Sequence, residues 1–155
     1  MQPQAHWQTA MTTVVEAIGR FPGKSSNIWL KDYPRGSCSV TSFAIGRFLL
    51  ERHGEDWSLV SRSGPEYTHT WLVLAPEDAV VASIDATVHQ FPGISTEPFV
   101  GVGHSPANEH FPDLMGGPVR MSSVPAWWHH GATREVYEWL FPRLGLAPFV
   151  DEALP

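Results

Sequence analysis

The sequence predicts one domain that mixes helices with a small sheet, and three observations predict it. Apolar residues recur at helical spacing in two stretches before residue 54 and again after residue 132. Between them lie three successive extended segments rich in Val, Ile, Trp, Leu and Thr. The chain has 155 residues, which is the size of one domain. At that length a fold buries roughly 70% of the surface exposed by the unfolded chain, so it needs no disulfide or metal to hold it. The single Cys could not form an internal disulfide in any case.

A first helix is predicted over residues 5–19, because Trp7, Met11, Val14, Val15 and Ile18 fall on one face. Phe21-Pro22-Gly23 and Ser25-Ser26-Asn27 then break the period, and Ile28-Trp29-Leu30 is a short apolar anchor before the turn Tyr33-Pro34-Arg35-Gly36. Ser37 reads as the N-cap of a second helix over residues 38–52, with Ala44, Ile45, Phe48 and Leu49 as its stripe and His53-Gly54 as its end. That places Cys38 in the first turn of a largely buried helix. The extended segments are residues 57–61, 68–75 and 79–87, and Trp71-Leu72-Val73-Leu74, apolar on both faces, reads as a central strand. Pro and Gly crowd residues 92–125, which predicts mostly loop with one short strand at Phe99–Val102. Loops of that length in a compact domain usually have a task, so these are expected to wall a cleft. The last helix is expected over residues 133–141, with Val136, Trp139 and Leu140 inward and Pro142 ending it.

Charge narrows the function. The chain carries 10 Lys+Arg against 16 Asp+Glu, a net charge of -6, and no basic run, which argues against nucleic acid as a partner because counterion release needs clustered cations. Residues 1–18 contain neither a basic n-region nor an unbroken apolar h-region, and no apolar stretch nears the ~20 residues of a membrane span. A soluble protein, cytoplasmic where it is made, is the expectation; export without a cleaved signal is compatible with it.

The chemistry concentrates in the predicted hairpin. If Ala75 and Ala79 close a three-residue loop, His69 lies opposite Asp85 on the same face of the sheet, with Cβ atoms about 5 Å apart. A loop of even length would separate them onto opposite faces. A carboxylate beside an imidazole fixes its tautomer and stabilises the imidazolium. Cys38 supplies the group such a pair activates, since free N–H groups and the helix dipole favour a thiolate at a helix N-terminus. A thiolate–imidazolium pair steadied by Asp is a nucleophile for acyl transfer from amides and esters, and the Cys38 N–H would face the developing oxyanion. Taken singly, a Cys on a helix or a His on a strand is more often structural. Asp85 in an apolar strand is harder to dismiss, because a buried carboxylate needs a partner.

Gly36-Ser37-Cys38-Ser39 opening a buried helix, His69-Thr70-Trp71 on a strand, and Ile84-Asp85-Ala86-Thr87 followed by Gln90-Phe91 resemble the papain-like cysteine hydrolases of the transglutaminase-like branch. That group includes bacterial peptidases, amidases and effector enzymes that deamidate protein glutamines. The resemblance covers residues 36–91. It implies an α+β fold in which the Cys-bearing helix packs on a small antiparallel sheet carrying His and Asp. It also implies Cys38 as nucleophile, His69 as general base and then acid, Asp85 as orienting residue, a protein or peptide substrate, and no cofactor. The family's oxyanion Gln has no counterpart upstream, where position 32 is Asp. Asn27 is the nearest upstream amide and Trp29 could donate its indole N–H, as a Trp does in transglutaminases. The chain lacks the acidic calcium cluster of animal transglutaminases. Ser37, Trp71 and Gln90 complete the residues expected near substrate, and His89 stands beside Gln90 either at the cleft or as part of a polar strand exit.

Two other readings compete. His69, Asp85 and His89, with His104, His110, His129 and His130 as further donors, could hold zinc, although neither HExxH nor paired CxxC occurs. Alternatively, Trp127-Trp128 beside His129-His130 could form an aromatic surface on a non-catalytic binding module.

Overall fold

Helix α2 runs from Cys38 to His53, and Val40 through Gly46 are all buried. A buried run longer than one turn has no solvent face, so α2 is surrounded by other elements. Gly46 marks its closest approach: a Cβ there would stand 2.7 Å from Met121 Sδ and 3.0 Å from Leu72 Cδ2. The helix ends at Gly54, whose φ of 66° is the left-handed cap conformation a glycine reaches without strain.

The computed structural model describes residues 1–124 and 131–148. Among these residues the fold is α+β, with three α-helices and a six-stranded antiparallel sheet. Helix α1 (Ala5–Gly19) turns Trp7, Ala10, Met11, Val14 and Ile18 inward, matching the predicted bounds and stripe. The strands are β1 (Ser58–Ser63), β2 (Thr68–Leu74), β3 (Ala82–Asp85), β4 (Phe99–Val102), β5 (Asp113–Leu114) and β6 (Val119–Arg120), followed by helix α3 (Ala132–Arg143). The sheet order is β4-β3-β2-β1-β5, with β6 also paired to β1. No helix among the described residues is long and apolar enough to cross a membrane.

Strand β2 is central, as its two apolar faces require. On one face Leu72 joins Ile84, Ala82 and the three helices in the larger core; on the other Trp71 and Val73 pack with Val60, Val88, Ala107 and Phe111. Ala107 and Phe111 come from the Pro/Gly-rich stretch, so part of that stretch is core cover rather than cleft wall. It also holds two 3-10 turns, Pro106–Glu109 and Met121–Ser123, and the short strands β5 and β6, where the Pro and Gly content predicts loop.

Three expectations need correction. Strand β3 pairs Leu74 with Ala82 and Leu72 with Ile84, so the loop runs over residues 75–81 and Asp85 falls beside Trp71, two places from the expected partner His69. The cause is local: Asp78 takes a left-handed φ of 64°, and the Val81 N–H donates to the Leu74 carbonyl at 2.8 Å, closing a wider loop than Ala75 and Ala79 would. Ser37 occupies the N-cap position of α2 but caps nothing, because its hydroxyl donates to the Pro34 carbonyl at 2.9 Å. Pro142 lies inside α3 rather than ending it. In the last turn its missing N–H removes only one bond, and Leu144 closes the helix onto Leu140 and Phe141.

Candidate active site

Gly36, with φ of 73°, turns the chain into α2, and no neighbour lies within 4 Å of where its side chain would be. The glycine is needed for its backbone handedness. Cys38 follows as the first residue of the helix and is half-buried. With Ser37 bonded elsewhere, the N–H groups of the first turn have no side-chain cap, and the positive end of the helix lies behind the sulfur.

Serine and threonine hydroxyls bolt this end of α2 to β2. Ser42 Oγ donates to the Thr70 carbonyl at 3.3 Å, Ser39 Oγ donates to Thr70 Oγ1 at 3.4 Å, and Thr70 Oγ1 shares a 2.8 Å bond with Ser61 Oγ. These bonds set the Cys38 end of α2 on the part of β2 that carries His69, the neighbour of Thr70.

His69 and Asp85 are both fully buried, and His69 Nε2 lies 2.8 and 3.0 Å from the two Asp85 carboxylate oxygens. The two-place shift in pairing leaves them on the same face, because side chains alternate with period two. Nε2 donates to the carboxylate, which leaves Nδ1, 3.5 Å from Gln90 Nε2, as the nitrogen able to take up a proton. Ser105, 2% exposed, donates its hydroxyl to Asp85 Oδ2 at 2.7 Å, while its oxygen accepts the Ala107 N–H. Trp71, Phe91 and Phe111 surround the imidazole with ring centroids 5.2–5.6 Å away. These contacts restrict rotation of the ring.

The electrostatics follow from this packing. Burial opposes a charge on His69, but the hydrogen bond and charge of Asp85, joined by Cys38, outweigh it and raise the imidazole to about 9 from 6.5. Burial likewise opposes the thiolate of Cys38, yet His69, the Thr70 backbone and the Ser39 hydroxyl carry its pKa below the ordinary cysteine value. Both shifts favour a thiolate–imidazolium pair at neutral pH.

A cleft of about 550 Å³ opens over Cys38, walled by Trp29, Gly64 to Thr68, Gln90 and Phe91. Trp29 is 42% exposed, and Gln90 Nε2 lies 3.5 Å from His69 Nδ1 and 3.3 Å from Thr87 Oγ1, so both expected residues are at the site. Three others are elsewhere. Asn27 is 4% exposed, with Nδ2 donating to the Ala132 carbonyl and Oδ1 accepting the Trp29 N–H; it clamps a turn to α3 and is not a second oxyanion donor. Ser37 is fully buried on Pro34. Trp71 is 1% exposed behind His69, where it supports the ring and has no reach to the cleft. His89 lies against the Tyr33 ring, and burial lowers its pKa despite the opposing charge of Asp85.

Sequence reasoning missed Ser105, Ser39, Ser42 and Thr70. Ser105-Pro106 carries the signal of a capped turn, but nothing local in the sequence ties it to Asp85. Among the described residues no group of three or more His, Cys, Asp or Glu side chains is arranged to hold a metal ion. His129, His130, Trp127 and Trp128 lie outside the described residues. Neither a scan of protein-family models nor searches of curated proteins and of solved structures finds a match to this chain.

Proposed function

We propose that this protein is a cysteine-dependent amide hydrolase of papain-like, transglutaminase-like design, acting on protein or peptide substrates as a peptidase or a glutamine side-chain deamidase. What supports this reading is a buried His69 held at Nε2 by Asp85 on the strand to which the Cys38 end of α2 is bonded, with the half-buried Cys38 lining an open cleft. A structural histidine needs neither the thiol nor the cleft.

In the proposed reaction the Cys38 sulfur attacks an amide carbonyl carbon. The Cys38 N–H, at the open end of α2, and the Trp29 indole or Gln90 amide on the cleft wall are the donors for the resulting oxyanion. His69 gives its proton to the departing nitrogen as the C–N bond breaks, releasing an amine or ammonia. Water, deprotonated by His69, then hydrolyses the thioester and frees the sulfur. Asp85 holds the ring through both transfers and stabilises its charged form.

Wild type and Cys38→Ala, compared for ammonia release and for mass changes in glutamine-containing proteins, test the reading. The expected result is activity in wild type alone; equal behaviour of the two proteins would overturn it. A gain of about one dalton without chain cleavage identifies deamidation, and new termini identify a peptidase, since the thioester route yields a carboxylate either way. Metal analysis tests the competing reading: one tightly held equivalent of zinc in purified protein would displace the cysteine mechanism.

A further inference from the structure

The cleft over Cys38 does not end at its own walls. Trp29 and Ser39, which wall it on one side, also line a second hollow of about 330 Å³ whose other contacts include Val40, Leu59, Met115 and Val119. On the other side Gly64, Pro65, Glu66, Tyr67 and Phe91 belong both to the cleft and to a third hollow of about 320 Å³, completed by Ile94, His110 and Phe111. The cleft that holds the nucleophile therefore shares walls with two further hollows, both lined mainly by apolar and aromatic side chains. Trp29, Tyr67 and Met115 are 42%, 61% and 49% exposed along them, so large apolar surface faces solvent where a substrate would lie. Burying such surface is favourable by about 25 cal/mol per Å², and contiguous exposed apolar surface is a common mark of a binding groove.

A deamidase needs to admit one glutamine side chain, for which a single narrow hole above the sulfur is enough. A peptidase must hold extended backbone on both sides of the reacting carbonyl. In extended chain, residues adjacent to the reacting bond place their side chains on opposite sides of the backbone. Resting on the hydrolase reading above, we infer that the substrate is an extended peptide segment with a bulky apolar side chain on each side of the reacting amide, and that the bond broken is a backbone peptide bond. Cys38 forms the thioester to the N-terminal fragment, the C-terminal fragment leaves as an amine bearing the proton from His69, and water completes the hydrolysis. One apolar side chain occupies the Met115 hollow and the other the Ile94 hollow.

The test is a peptide library made by digesting a denatured proteome, incubated with wild type, Met115→Arg and Ile94→Arg, with cleaved bonds read by mass spectrometry. Met115 and Ile94 each line one hollow, are not fully buried, and are not among the residues lining the cleft over Cys38. The expected wild-type result is enrichment of Leu, Met, Phe or Tyr on both sides of the cleaved bond. Each Arg variant is expected to lose enrichment at one side only, with at least a tenfold fall in kcat/KM for the preferred sequences. The rate at which iodoacetamide modifies Cys38 is expected to stay within twofold of wild type, which separates a binding effect from a damaged site. Cleavage with no apolar preference, or loss at neither side in both variants, would overturn the inference. Ammonia release and a mass gain of about one dalton without cleavage would overturn it while leaving the hydrolase reading intact. Absence of both reactions would remove the hydrolase reading and this one with it.

Discussion

Replacing Asp85 by Asn changes the charge at the bottom of the site with almost no change in shape. His69 is raised to about 9 from 6.5, and Asp85 is the foremost of the groups that raise it. That displacement corresponds to about 3 kcal/mol favouring the imidazolium, shared between Asp85 and Cys38. The Asn amide can still accept the Ser105 hydroxyl bond, but it carries no charge, and an NH2 turned toward Nε2 would force the proton onto Nδ1, the wrong tautomer for accepting one from the thiol. Burial then dominates, His69 falls toward neutrality, and Cys38 loses the cation that lowers it. A thiol with an ordinary pKa near 8.5 is only a few per cent ionised at pH 7, so the loss of thiolate is about 30-fold at that value and larger where burial lifts the thiol above it. The lower intrinsic nucleophilicity of a low-pKa thiolate trims the change in alkylation toward about tenfold. The assay is the rate of iodoacetamide modification of Cys38 against pH, in both proteins, with circular dichroism and thermal unfolding to verify the fold. The expected result is a midpoint displaced upward and a rate at pH 7 reduced about tenfold; turnover on any substrate should fall further, by about 10³ to 10⁴, for a misplaced proton. Equal rates and equal midpoints in two well-folded proteins would refute the claim that Asp85 acts on Cys38 through His69.

The remaining predictions follow from the same packing. In wild type, His69 contributes stability that is fully present below 6.5 and is lost as pH rises through about 9, while the lowered Cys38 contributes stability that grows toward the unfolded thiol value. The two slopes oppose each other, so Cys38→Ala should unmask a decline in urea stability above pH 6.5, with a ceiling of about 3 kcal/mol; a flat profile would contradict a raised His69. Ser105→Ala removes the 2.7 Å bond to Asp85 and leaves the Ala107 N–H without its acceptor, which should cost about 1–3 kcal/mol in chemical denaturation while Cys38 alkylation changes only a fewfold. Gly46→Ala would set a methyl 2.7 Å from Met121 Sδ, and should destabilise by about 1–3 kcal/mol despite the helix propensity it gains; a rise in Tm would show that Met121 yields freely.

Long, periodic elements were legible in the sequence because one dominant physical signal fixes each of them. The stripe of Trp7, Met11, Val14 and Ile18 has no alternative helical face to bury, and α1 has the expected bounds. The double-sided apolar run in β2 could only be central, and it is. Where the outcome depends on one residue's backbone against another's, the sequence was silent. Nothing in Pro76-Glu77-Asp78 says that Asp78 will adopt a positive φ and widen the loop, and nothing in Ser37 says that its hydroxyl will prefer the Pro34 carbonyl to an N–H of its own helix.

The error in strand pairing did not carry through to the His–Asp pair, for a reason that applies to any hairpin. Facing is set by whether the loop has odd or even length, whereas the partner is set by its exact length. The expected three-residue loop and the observed loop over residues 75–81 are both odd, so His69 and Asp85 stay on one face and meet diagonally, a separation that two polar side chains of this length span. Sequence could therefore supply the face, and with it the acid–imidazole pair. Whether Cys38 would meet that pair was not available from any local pattern, because it depends on how far along β2 the first turn of α2 lands. That position is set by contacts distant in sequence: Ser39 and Ser42 on Thr70, and Gly46 allowing Met121 and Leu72 to approach. Residues that dock one element on another decide whether three well-placed side chains become one site, and a search of sequence for nucleophile, base and acid alone passes over them.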